Sequence, residues 1–272
     1  MSVIKRAIKF VVFSNLWIAI AAAGFTLNTY LLFNREVNEQ VVLLVFLATF
    51  SVYNLQRIVK HYFQNKNYSS RHKWILKNAN ILFALVVLCS ITTLFLFFEV
   101  YTYKNFISLL PFSVVSLLYS VSLFSGNKSL RDLPFVKIFL IAVTWAVTSV
   151  VLPIIELGLP FSFYTTKLFV FNFLFIFAII IPFDIRDVEL DNKATKTLPQ
   201  YFGVNRAVDI AMWMLSACLI ISIVSFFTLG QVVPLVLALV LVVQSKKKQT
   251  ELFYSGLIDG VVLLFPLFNY FF

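Results

Sequence analysis

Four of the twelve acidic residues in this 272-residue chain fall within eight positions: Asp184, Asp187, Glu189 and Asp191. On a helix turning about 100° per residue, Asp187 lies about 60° and Asp191 about 20° from Asp184, so three carboxylates share one face while Arg186 and Glu189 point away from it. Like charges one or two turns apart repel, and beside a bilayer the repulsion is screened less than in open water. The pattern calls for a cation. Mg2+, which takes one or two carboxylates together with substrate phosphates, is one answer. Ion pairing within the same loop, to Lys193, Lys196 and Arg206, is another. Ionisable groups at membrane helix ends that face a bundle interior are costly and mark function, which favours the first.

The element that positions these acids is the apolar run 167–183 directly before them. The whole chain is 61% apolar and 12% charged, with a mean hydropathy of +0.93. Soluble domains carry about 45–50% apolar and about 25% charged residues, so a water-soluble globule is excluded. Seven Gly and eight Pro are too few for a fibrous or disordered chain. Cys89 and Cys218 can form neither a disulfide framework nor a four-thiolate metal site. Both stand inside apolar runs and read as small buried hydrophobes. The expected fold class is an all-α integral membrane protein.

A hydrocarbon core of about 30 Å needs about 20 mostly apolar residues per helix. Nine runs qualify, at 10–33, 40–56, 78–98, 105–124, 135–155, 167–183, 207–228, 231–244 and 253–271, the eighth being short. With Lys137 and Lys167 at the helix edges counted in the adjoining loops, the odd-numbered polar segments hold 19 Lys and Arg and the even-numbered ones three, Arg35, Lys104 and Lys167. Because cytoplasmic loops carry the Lys and Arg excess, this places the N-terminus in the cytoplasm and the C-terminus outside, in the plasma (inner) membrane of a prokaryote. The net charge of +10 then reflects loop sorting, and no nucleic-acid partner is expected. The first apolar run is too long for a signal peptide and lacks a small-residue cleavage site. No linker or internal repeat divides 1–272, which reads as a single transmembrane domain in contact with the lipid bilayer. Most of the 32 Phe should pack against lipid or one another, and a few could line a cavity.

The stretch Asp184-Ile-Arg-Asp187-Val-Glu-Leu-Asp191-Asn-Lys-Ala-Thr-Lys196-Thr197-Leu198-Pro199, followed by Gly203 and Arg206-Ala207, resembles the second aspartate-rich motif of the UbiA superfamily of membrane-embedded prenyltransferases. Tyr119-Ser120, ahead of a basic loop with Lys128 and Arg131, resembles the connection between that family's fourth and fifth helices. Nine helices with polar cytoplasmic loops also match the family. The resemblance implies a helical bundle around a central lipid-accessible cavity. There two Mg2+ hold an isoprenoid diphosphate, which ionises to an allylic carbocation captured by an acceptor. It makes Asp184, Asp187 and Asp191 metal ligands, makes Lys128, Arg131, Lys193 and Lys196 diphosphate contacts, and puts Asn54, His61 and Tyr119 among the polar groups of the cavity. Metal ions and basic side chains stabilise a departing diphosphate, and apolar walls keep water from the cation.

The family's first motif, N-D-x-x-D-x-x-x-D, has its counterpart at Tyr53-Asn54-Leu55-Gln-Arg57-Ile58-Val-Lys60-His61-Tyr62. Asn54 is kept, but Leu55, Ile58 and Tyr62 stand at the aspartate positions, and no acid occurs between Glu39 and Glu99. Asn54, Arg57 and His61 share the spacing of the three downstream aspartates and form a polar stripe of opposite sign. Either Arg57 and Lys60 bind diphosphate by direct charge, or the stripe pairs with the aspartates and leaves a site without the usual metal. Arg57, Lys60, Lys66, Arg71, Lys73 and Lys77 equally fit a positive-inside loop on anionic headgroups, at about 1 kcal/mol each. His61 and His72 lack a second His at ligand spacing on one helix face. Thr195 stands where a Gly is usual before the motif's Lys.

Three functions compete. One is a prenyltransferase acting on an isoprenoid diphosphate at the cytoplasmic face. Another is a non-catalytic relative that binds a prenyl lipid or a partner. The third is a small transporter, against which stands the lack of an inverted repeat or of matched broken helices. Neither the acceptor nor the oligomeric state is written in these motifs.

Overall fold

Backbone polar groups in lipid must be satisfied within the segment, which limits apolar spans like these to helices. The computed structural model describes residues 3–63, 70–102, 135–189, 196–226 and 228–271, and all regular structure among them is helical. The elements are α1 (Val3–Phe13), α2 (Leu16–Leu32), α3 (Glu39–Phe63), α4 (Ser70–Lys77), α5 (Ala79–Val100), α6 (Val136–Glu156), α7 (Phe163–Arg186), α8 (Leu198–Phe202), α9 (Val204–Ile221), α10 (Leu229–Gln244) and α11 (Phe253–Phe271).

Six described helices are long and apolar enough to cross a membrane, and a seventh span results if α1 and α2 are counted together across their 65° bend. The first expected span, 10–33, is therefore broken. Asn15 at the break adopts a left-handed backbone, φ 62°, a conformation that Asn tolerates better than most residues. The short eighth run is α10, with 16 residues, and the expected span 105–124 lies outside the described residues.

The packing order positions the site. α3 lies between α5 and α2, and α2 packs on α11. α10 and α9 follow, then α7 and α6, and the middle of α6 returns against α2. That middle is a π-helical turn, Val147–Val151, which turns Ser149 toward its neighbours. Thr29 on α2 donates to the Ser149 carbonyl at 2.6 Å, and Asn172 on α7 donates to Ser149 Oγ at 2.7 Å. Such interhelical bonds, worth about 1 kcal/mol in a membrane interior, tie three helices at one level. Four phenylalanines, Phe25, Phe171, Phe175 and Phe265, pack ring on ring in the core between α2, α7 and α11. Phe183 is the one Phe among the described residues that lines the central cavity.

The α6 end at Glu156 is bonded to Tyr30 and Asn38, so the ends of α2 and α6 and the start of α3 share one side. The other side, where α3 and α7 finish and α6 and α11 begin, carries the basic and acidic cluster.

Candidate functional site

At the charged end a cavity of about 190 Å3 opens between α2, α3, α4, α6, α7 and α11. α7 explains its character, because one helical face, repeating every three or four residues, carries Ile176, Ile179, Ile180, Phe183 and then Asp184 and Asp187. Ile18, Ile141 and Val262 complete an apolar wall, while Arg57, Arg71, Lys137, Arg186 and Asp259 join the two aspartates at the charged mouth. Tyr53 and Trp145 stand between the two regions and are joined by a Trp145 Nε1 to Tyr53 hydroxyl hydrogen bond of 3.2 Å.

Asp184 is buried and takes a 2.7 Å bond from Lys137 Nζ. α7 ends at Arg186, leaving Asp187 as its C-cap outside helical geometry. The carboxylate stripe expected to run along a continued helix therefore stops there, and Asp191 lies outside the described residues. Pro182 lies one turn before that end, where it supplies no N–H to the carbonyl four residues earlier. Arg186, which the helical wheel placed off the acidic face, turns back to it. Its Nε and Nη2 bond both Asp187 oxygens at 2.8 Å, and its guanidinium rests against the rings of Phe183 and Tyr254. Bidentate geometry of this kind is the strong form of the Arg–carboxylate pair.

Arg71 of α4 is buried at the centre of the cluster. It donates to the Val12 carbonyl at 2.9 Å, Asn15 Oδ1 at 2.7 Å, Ser255 Oγ at 2.8 Å and Glu251 at 3.3 Å. Glu251 also meets Arg186 at 3.5 Å. Burial makes the Arg71 guanidinium easier to deprotonate than usual, and the Glu251 and Asp259 carboxylates oppose that effect, so it stays charged.

The other expected site residues divide. Asn54 is buried, but its Oδ1 accepts from Asn15 Nδ2 and its Nδ2 donates to the Ser14 and Phe50 carbonyls. It fixes the α1–α2 break and does not line the cavity, which corrects the reading of Asn54 as a cavity group. Arg57, one turn further on, does line it. Lys196 is exposed and away from the cavity lining. Tyr119, Lys128, Arg131 and Lys193 lie outside the described residues, as do the side chains of Lys60 and His61.

Sequence reasoning passed over Arg71, Lys137, Arg186, Glu251 and Asp259. For Asp259 the signal was available, since an acid near the start of the apolar run 253–271 is expensive unless it has a role. For Arg71 it was not, because its loop carries six basic residues with nothing to distinguish one of them.

No protein-family model matches the chain, and no curated protein matches it either. Its fold, however, is shared with solved membrane proteins. A UbiA homolog from Archaeoglobus fulgidus bound to GPP and Mg2+ superposes with a TM-score of 0.65 at 12% identity, covering 96% of this chain and 98% of that one. A UbiA homolog from Archaeoglobus fulgidus bound to DMAPP and Mg2+ gives 0.58 at 13% identity, covering 96% of each chain. A digeranylgeranylglyceryl phosphate synthase gives 0.57 at 16% identity, covering 97% of this chain and 98% of that one. The chain thus has the UbiA-type membrane fold along nearly its whole length.

The two-ion Mg2+ centre implied by the motif resemblance does not fit the described residues. The α3 side of the cavity offers Arg57 where acids would be needed, and on the α7 side Asp184 and Asp187 are each already held by a protein cation. Among the described residues no three His, Cys, Asp or Glu side chains come together as metal ligands.

Proposed function

We propose that this chain binds an isoprenoid diphosphate at the charged end of the bundle, the cytoplasmic face by loop charge, and transfers the prenyl group to an acceptor. The observation that carries this is the cavity itself: four cations at its mouth adjoin an apolar wall, in a fold whose solved neighbours hold GPP or DMAPP.

In this reading the diphosphate lies among Arg57, Arg71, Lys137 and Arg186, and the prenyl chain lies along Ile176, Ile180 and Ile141. The bond between the allylic carbon and the diphosphate oxygen breaks with both electrons leaving on oxygen, where fixed positive charge stabilises them. The allylic cation left behind faces Tyr53 and Trp145, whose ring faces attract positive charge. The acceptor's nucleophile closes the new bond and loses its proton. Mg2+ belongs to this reading by family resemblance, which makes Asp184, Asp187 and Asp191 its ligands.

A second reading is favoured by one observation. Both described aspartates of the second motif are neutralised in ion pairs and the first motif has no acid, as expected of a relative that binds a prenyl lipid without turning it over.

Both readings are tested by reconstituting the protein in vesicles with GPP and a lipid extract, following diphosphate release and binding together. Release above that of empty vesicles, lost in a Trp145→Leu and Lys137→Ala double variant, supports transfer. Binding without release supports the second reading, and no binding rejects both.

A further inference from the structure

We infer that the guanidinium groups of Arg57 and Arg71 hold the phosphates of the ligand directly, so that the site binds an isoprenoid diphosphate without a divalent cation. The inference rests on the diphosphate reading above and concerns how that ligand is held.

Two donors at the cavity lack partners. Arg57, half-buried, lines it, and its guanidinium has no hydrogen bond or ion pair to a described residue while lying in the field of Arg71, Arg186, Glu251 and Asp187. Arg71 is saturated on both terminal nitrogens, but its Nε is buried with no partner. For Arg71 Nε, a donor left unmade in a buried position is costly. A phosphate group, with several acceptor oxygens matched to a planar guanidinium, satisfies both.

The acids point the same way. Asp184 is held by Lys137 and Asp187 by Arg186, while Asp259 lines the same cavity beside Arg57, Arg71 and Arg186. A divalent cation entering here meets four fixed cations and must break existing pairs to gain ligands. An anion meets those cations directly. The first-motif segment, in which Leu55, Ile58 and Tyr62 stand at the acid positions, thus contributes positive charge through the neighbouring Arg57.

The test is calorimetric titration of the purified full-length protein in detergent with GPP, in excess chelator and again in Mg2+. The native protein should bind in chelator within about threefold of its affinity in Mg2+. Arg57→Gln should weaken binding by about 10- to 100-fold in both conditions, the loss expected from removing a hydrogen bond to a charged group. Arg57→Lys should recover part of it. Should Arg57→Gln fail to fold, Arg57→Lys and the chelator comparison on the native protein decide. Binding only with Mg2+, abolished by Asp187→Asn, overturns the inference and leaves the proposed function standing. Unchanged binding by a folded Arg57→Gln also overturns it. No binding in either condition overturns both.

Discussion

Lys137 at the start of α6 places its ammonium 2.7 Å from Asp184 Oδ1 near the end of α7, across the mouth of the cavity. The two ends of this bond differ: the Asp184 side chain is 2% exposed and that of Lys137 is 26% exposed. Removing the lysine takes a cation away from a buried carboxylate, whereas removing the aspartate leaves an ammonium that can reach water. Lys137→Ala should therefore cost about 1–3 kcal/mol, more than Asp184→Asn, because weakening the pairing of a buried charge costs more than losing a bond from a partly exposed one. Thermal unfolding of the two single variants and the double variant in detergent gives the coupling directly. Equal losses in both singles with simple additivity would show that the pair contributes nothing as a pair.

The helices of this site were readable because bilayer thickness dictates the length of an apolar run, and loop charge orders those runs. The site was readable only in part. Asp184 and Asp187 showed as acids at a membrane boundary, and Arg57 showed by its spacing from Asn54. Arg186 was misplaced because a helical wheel assumes that the helix continues, whereas α7 stops at Arg186 and lets its guanidinium fold back on Asp187. Arg71 and Ser255 are 184 positions apart and meet only through the packing of α4 against the α11 end. No local pattern encodes such a contact.

Arg71 supplies four hydrogen bonds that join α4 to the end of α1, the Asn15 break and the start of α11. Arg71→Lys keeps the charge but offers one nitrogen where two now spread over four acceptors. The left-handed turn at Asn15 should loosen with it. The expected loss is about 1–3 kcal/mol, since Asn15 Oδ1 loses its Arg71 donor and the Val12 carbonyl keeps the 3.4 Å bond from the Asn15 N–H. Hydrogen exchange should show faster opening at residues 12–16 than in the core around Phe175. Protection unchanged at the break would rule out this role.

Gly230 near the start of α10 shows where backbone approach, not chemistry, fixes a residue. A Cβ there would fall 2.6 Å from the backbone nitrogen of Asn269 on α11 and closer still to its side chain. That side chain donates to Asn28 Oδ1 at 2.7 Å and accepts from Thr228 at 2.9 Å. Gly230→Ala should push α10 from α11 and cost about 1–3 kcal/mol through overpacking, with further loss from the disturbed Asn28–Asn269–Thr228 chain. A denaturation midpoint equal to that of the native protein would show that the two helices can part without cost.

The strongest separation between the charged and apolar parts of the cavity comes from changing the wall alone. Ile180 lies one turn before Asp184 on the same face of α7 and is nearly buried. A tryptophan there fills a space of about 190 Å3 from its apolar side and leaves Arg57, Arg71, Lys137 and Arg186 in place. If the prenyl chain lies along this wall, Ile180→Trp should weaken binding of GPP by at least about tenfold, the equivalent of one or two buried methylenes excluded. Inorganic diphosphate, which needs only the charged mouth, should bind with unchanged affinity. Comparing the two ligands on one folded variant removes any general effect on stability. Loss of both would mean that the substitution disturbs the charged mouth, and retention of both would move the prenyl chain to another wall of the bundle.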